Sequence, residues 1–321
     1  MVEIVKVFPG QGSQQVNMGL DLYEYSERVR SLFTLASDIS HMNLHTLLTE
    51  GTLGQITDTR VAQIVITLVN RASSVLLEEK GFKAAAAAGF SLGELSAYRE
   101  AQVIDDIQLF SITAKRGQLM ARNAVSAERR YGELAMAAIV GLSFDQVDEV
   151  IRQCGQPHVY ASNDNSAKQV VIAGLRSSVE RIEVLLKDLK VRRVIYLNVS
   201  GPFHTPLMDE ARAEFEQFLQ GISFSKPVIP LYSNVTGKKI SSNEDIRSLC
   251  ARQIVSPVRW TAIMENIAAD HPVCDAVETG YGKVLSGFFR STAVRCHQAG
   301  TVEGLHQIQA MNKDGQNERV L

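Results

Sequence analysis

Residues 82–94 read FKAAAAAGFSLGE, and the fold turns on whether the five alanines Ala84–Ala88 form a helix or a strand. Alanine has the highest helix propensity, which taken alone predicts a helix. The run is short and apolar, however, and Gly89 closes it. The next residues, Gly89-Phe90-Ser91-Leu92-Gly93, match G-x-S-x-G. That pattern needs a strand turning sharply into a helix, with glycine at both flanks so that the two backbones can approach. The expectation is a buried central strand, an elbow at Ser91 and a helix over 92–100. About one chain in ten of this size carries such a match by chance, so the flanking pattern gives it its weight. Two roles for Ser91 fit the segment: a nucleophile lifted clear of the sheet, or a cap on the helix.

Outward from the elbow, the elements alternate as in an α/β protein. Glu3–Phe8 (EIVKVF) is short, β-rich and stopped by Pro9-Gly10, which predicts a strand and then a loop. Residues 61–79 (VAQIVITLVNRASSVLLEE) have apolar positions at helical spacing and predict a long, largely buried helix. Downstream the rhythm changes. Glu133–Gly141 is strand-like, and Ser143 caps a helix to Cys154, its box completed by Gln146. His158–Ser162 and Gln169–Ala173 read as strands joined through Asn163–Lys168. Ser177–Lys190 is an amphipathic helix and Arg193–Val199 a further strand. This β-α-β-β-α-β order is the ferredoxin-like pattern. The expected architecture is a larger α/β domain from 1–130 and 200–321, with 131–199 as an inserted ferredoxin-like subdomain.

Composition excludes several classes. Of 321 residues, 45% are hydrophobic and 21% charged, values of an ordinary globular protein. Lys+Arg is 33 against 35 Asp+Glu, a net charge of -2, so the basic surplus of a nucleic-acid binder is missing. No apolar run is read as approaching the roughly 18 residues that cross a membrane. The opening MVEIVKVFPGQG lacks the basic and apolar regions of a secretion signal. The four cysteines, Cys154, Cys250, Cys274 and Cys296, are too scattered for a disulfide scaffold or a zinc site. The expectation is a cytoplasmic protein with no nucleic-acid or membrane partner and no metal.

A nucleophilic serine needs a base to take its proton. Of the seven histidines, His204 stands out in NVSGPFHTPLM, where Pro202 and Pro206 stiffen the loop. It can equally be a loop histidine before a helix. Acyl chemistry also needs oxyanion donors. One is expected at the Leu92 N–H, directly after the nucleophile. A second can come from Pro9-Gly10-Gln11-Gly12-Ser13-Gln14, whose glycines allow close backbone approach. That loop lacks the lysine of a phosphate-binding loop and the third glycine of a dinucleotide site. Arg116 lies in TAKRGQLM on an apolar helical pattern. A buried arginine takes a carboxylate partner, either a structural ion pair or an acidic substrate held bidentately.

Six ordered motifs, VFPGQGSQ, GFSLGE, AKRGQLM, NVSGPFHTPLM, QIVSPVRW and ETGYGKVLSGF, run from residue 7 to 288. Together they resemble the malonyl-CoA:acyl carrier protein transacylase family, which includes the acyltransferases of fatty-acid and polyketide synthesis. The resemblance implies an α/β-hydrolase-like large domain with a mostly parallel central sheet and a ferredoxin-like insert. It implies that Ser91 is acylated and that His204 is the general base. Gln253 would orient that histidine through its backbone carbonyl, Gln11 and Leu92 would supply the oxyanion amides, and Arg116 would hold the malonyl carboxylate. Asn163 matches a position near the cleft. Phe90 stands where the family has histidine, and Tyr281 where it has proline. Phe203 resembles malonyl-selective members.

The implied reaction is ping-pong transfer of malonyl from a CoA thioester substrate, through acyl-Ser91, to the phosphopantetheine thiol of an acyl carrier protein, with no permanently bound cofactor. Basic clusters at Lys190-Arg192-Arg193, Lys238-Lys239 and Arg129-Arg130 are candidates for docking an acidic carrier or the CoA phosphates, against an ordinary solvated role. The rival readings are an acyl hydrolase using the same Ser-His pair and a non-catalytic carrier-binding subunit.

Overall fold

The alanine run is a strand. The computed structural model of the chain describes residues 2–189, 191–199 and 201–318. In it β1 (Val2–Phe8) and β2 (Phe82–Gly89) pair in parallel, with Ala86–Ala88 opposite Val5–Val7. The small side chains of β2 let the long helix Thr59–Glu79 and the helix Gly93–Glu100 come close to the sheet, which overrides alanine's own preference.

The chain divides into two compact units. The first comprises 1–114, 225–232 and 267–321. Besides β1 and β2 its sheet contains β7 (Leu231–Tyr232), β9 (Ala276–Glu278) and β10 (Cys296–Gln298). The order is β10-β9-β1-β2-β7, and every pairing is parallel. The chain steps outward from β1 to β2 and β7, then returns to the other side of β1 for β9 and β10. In open parallel sheets the strand ends beside such a reversal are where sites form. Here the C-terminal ends of β1 and β2 carry the Pro9–Gln14 loop and the Ser91 elbow.

The helix Thr59–Glu79 corrects the expectation about apolar runs. Its mean hydropathy reaches 1.3, enough by length and composition to cross a bilayer, yet 89% of that window is buried inside the protein. Each of its buried leucines, isoleucines and valines contributes roughly 1.5–3 kcal/mol. Its one charged residue in the middle, Arg71, donates from Nε to Asp106 (2.7 Å) and from Nη1 to Glu78 (3.2 Å).

The second unit comprises 115–224 and 233–266, the division falling inside the helix Asp106–Tyr131. Its sheet has the order β6-β3-β5-β4-β8, from β3 (Leu134–Val140), β4 (Val159–Ser166), β5 (Gln169–Leu175), β6 (Arg193–Tyr196) and β8 (Val258–Arg259). With the helices Phe144–Cys154 and Arg176–Leu186, the first four strands make the ferredoxin-like arrangement. Ser143 caps the first helix in a complete box with Gln146. Val147, Ile151, Val179 and Ile182 pack on Ala137, Ile139, Val170 and Ile172. The expected insert of 131–199 lies wholly within this unit, which is larger because β8 joins β4 in parallel and the 201–224 segment packs on the helix ending at Tyr131. Asn163, expected in a connecting loop, lies in β4, which runs on to Ser166.

Candidate active site

The elbow is fixed by backbone. Phe90 N donates to Phe8 O (2.9 Å), and Gly93 N reaches back to Phe90 O (2.9 Å). Ser91 sits at φ 52, in the left-handed region, which costs a non-glycine residue roughly 1–2 kcal/mol. Close packing enforces that conformation. A Cβ on Gly89 would lie 2.0 Å from the Gly93 carbonyl carbon, and one on Gly93 would lie 2.0 Å from Phe8 O. Glycine at both flanks of Ser91 is a steric necessity.

The Pro9–Gln14 loop abuts the elbow. A Cβ on Gly10 would lie 2.5 Å from Phe90 O and 3.5 Å from Leu92 N. The two expected donors, the N–H groups of Gln11 and Leu92, therefore belong to neighbouring backbone segments. Among the described residues neither donates to a protein acceptor. Backbone amides without a protein acceptor are the kind of donor from which an oxyanion hole can be built. Phe90 turns its ring toward Phe288, with centroids 5.9 Å apart.

In the second unit, His204, Gln253 and Arg116 come together. His204 is buried, at φ 62, and its backbone N donates to Ile254 O (3.1 Å). Its Nδ1 lies 2.8 Å from the Gln253 carbonyl. A carbonyl only accepts, so Nδ1 carries the hydrogen and Nε2 keeps its lone pair. Burial, and then the Arg116 charge, lowers the imidazole pKa to about 4, with the backbone of Gln253 and then of Ser256 acting in the opposite direction. The ring is thus neutral near pH 7 and can accept a proton at Nε2. Arg116, only 2% exposed, donates from Nη2 to Gln253 Oε1 (2.8 Å). Gln253 holds the histidine with its backbone and the arginine with its side chain.

Phe203 is buried beside Gly201, whose added Cβ would lie 3.0 Å from Phe203 Cε1. Asn163 is also buried, but its Oδ1 accepts from Ser162 Oγ (2.8 Å). Arg192, Arg193, Lys238, Lys239, Arg129 and Arg130 are exposed, and Lys190 lies outside the described residues. Among the described residues no group of three His, Cys, Asp or Glu side chains could hold a metal ion. All four cysteines are free thiols.

Three residues escaped the sequence reading. Asn70, fully buried, donates from Nδ2 to Pro9 O (3.0 Å) and Ser96 Oγ (3.3 Å). Ser13 Oγ donates to Gly10 O (3.0 Å). Glu278, fully buried at the end of β9, accepts from the N–H groups of Leu285 (3.0 Å) and Ser286 (2.8 Å), while burial pushes its pKa up. A signal for Asn70 existed. Thr59, Gln63, Thr67, Asn70 and Ser74 form a polar stripe at helical spacing on an otherwise apolar helix.

Residues 5–278 match the family model described as acyl transferase domain. Among curated relatives, the malonyl CoA-acyl carrier protein transacylase of Haemophilus influenzae is 36% identical over 290 residues, 89% of this chain and 91% of that protein. Its namesake from Bacillus subtilis is 34% identical over 292 residues, 90% of each. The malonyl CoA-acyl carrier protein transacylase of Clostridium perfringens superposes with a TM-score of 0.92 at 27% identity, covering 100% of both chains. A malonyl-transacylase solved in complex with a type II polyketide synthase acyl carrier protein superposes with a TM-score of 0.87 at 33% identity, covering 95% of this chain and 98% of that one.

Proposed function

The chain belongs to the malonyl-CoA:acyl carrier protein transacylase family of acyl transferases, and we propose that it moves a malonyl group from coenzyme A to the phosphopantetheine thiol of an acyl carrier protein. The site reading rests on one observation above all: the Gln253 carbonyl orients His204 while the Gln253 side chain holds Arg116. A proton acceptor and a carboxylate receptor are thereby set by one residue.

In this mechanism Arg116 receives the free carboxylate of malonyl-CoA. His204 Nε2 takes the Ser91 proton as Oγ attacks the thioester carbonyl. The amides of Gln11 and Leu92 hold the oxyanion. The intermediate collapses, the C–S bond breaks, and CoA leaves with the proton returned by His204. The carrier thiol then gives its proton to His204 and attacks the acyl-serine, and Ser91 is reprotonated. Phe90, Phe203 and Asn163 shape the pocket. Malonyl-CoA and the carrier protein are substrates, and the chemistry needs no resident cofactor or metal. The relatives' names and the solved carrier complex support this partner, in fatty-acid or polyketide synthesis. Free thiols at all four cysteines fit a reducing, cytoplasmic setting.

Intact-protein mass spectrometry after mixing with malonyl-CoA tests the reading. A malonyl adduct that passes to a carrier protein, and is missing in Ser91→Ala, is expected. Steady release of free malonate without an adduct would favour the hydrolase.

A further inference from the structure

The Gln11 amide can serve an oxyanion only if its peptide plane faces the right way. Gly10 C=O and Gln11 N–H belong to one trans peptide unit and point in opposite directions. Flipping that plane turns the chain about the Gly10 Cα–C and Gln11 N–Cα bonds, and at the first of these glycine has no Cβ to resist the turn. A flip would aim the Gly10 carbonyl where the oxyanion forms.

The Ser13 hydroxyl opposes that flip. It is buried, and its only hydrogen goes to Gly10 O, at 3.0 Å. The plane before it is pinned as well, because Asn70 Nδ2 donates to Pro9 O. We propose that Ser13 is a positioning residue that sets the Gln11 N–H toward the oxyanion by holding the Gly10 carbonyl. The proposal rests on the function given above and extends it from the two donor amides to the group that aims one of them. Ser13 itself touches no reacting atom.

Rapid-quench measurement of Ser91 malonylation, with steady-state kinetics and thermal melts, tests this on the full chain. Ser13→Ala is expected to slow acyl-serine formation by roughly 10–100-fold, the scale of an ångström-sized misplacement, with KM for malonyl-CoA within about twofold. Ser13→Thr, which keeps the hydroxyl, is expected to recover most of the rate. Ser13→Val has the shape of threonine without the hydroxyl and is expected to stay slow, so the Thr/Val pair decides the matter even if the alanine variant folds poorly. A role confined to loop stability would move the melting temperature and leave the acylation rate alone. Equal rates for wild type and Ser13→Ala, a loss confined to KM, or equal rates for the Thr and Val variants overturn the proposal. If wild-type protein never acquires a Ser91 adduct, the transacylase reading itself fails and takes this proposal with it.

Discussion

Around Ser91, position is set by backbone, because Gly10, Gly89 and Gly93 permit contacts that any Cβ would block. Around His204, position is set by hydrogen bonds to the Gln253 and Ile254 carbonyls, with the buried Arg116 and Gln253 side chains bonded to each other in the same unit. The first construction is rigid because atoms cannot overlap, and it tolerates no added carbon. The second is held by hydrogen bonds and charge, so it tolerates a change of shape better than the loss of a partner. A nucleophile needs only a fixed place, whereas a base and an ion receptor also need their protonation and charge tuned.

The largest expected effect is His204→Ala, which should lower transfer by roughly 10³-fold or more with the fold intact by circular dichroism. The same histidine predicts a pH dependence. An unfolded chain protonates it near its ordinary 6.5, while the folded protein holds it to about 4. Between those values protons favour the unfolded state. Its contribution to stability is full above about pH 6.5 and is lost as the pH falls toward about 4. Melts of wild type and His204→Gln across that window should converge as the pH drops.

Next in size, Arg116→Ala should cost about 2–5 kcal/mol in kcat/KM for malonyl-CoA while sparing acetyl-CoA. An equal fall for both substrates would make Arg116 a structural group. Gly93→Ala tests the opposite half of the comparison. A methyl placed against Phe8 O should destabilise by about 2 kcal/mol in chemical denaturation, and an unchanged midpoint would mean that the elbow is softer than its contacts imply. The smallest effect belongs to Gln253→Ala, which keeps the carbonyl that His204 uses. It should cost about 1 kcal/mol, seen in KM for malonyl-CoA. A large fall in kcat instead would show that the side chain also governs the histidine and would blur the contrast.

What a sequence shows follows the same contrast. The elbow was readable because its constraints are local: glycines two residues either side of the serine, an apolar run before and a helix after. The ferredoxin-like segment was readable because each element carries its own signal, such as the Ser143–Gln146 box. The Gln253 contacts were not readable from spacing, since they join residues 49 and 137 positions apart. Only the resemblance suggested the carbonyl, and nothing suggested the side-chain bond to Arg116. Asn163 was misplaced as well. Its strand runs on to Ser166 by pairing with β5 across a tight turn, and β8, which arrives much later in the chain, pairs with Asn163 and Asp164 as well. Ser13 was missed because a serine in a glycine-rich loop looks like any turn residue until its acceptor is known.

The helix Thr59–Glu79 also shapes how the protein is made. Ser73, in its middle, finds its acceptor at Ala299 O, 226 residues later. At about 5–20 residues per second, a ribosome needs roughly 10–45 s to deliver that partner. For all that time the nascent chain carries a segment as greasy as a membrane anchor with part of its sheet still unsynthesised. Residues 59–79 can therefore complete their packing only after the segment around Ala299 has been made.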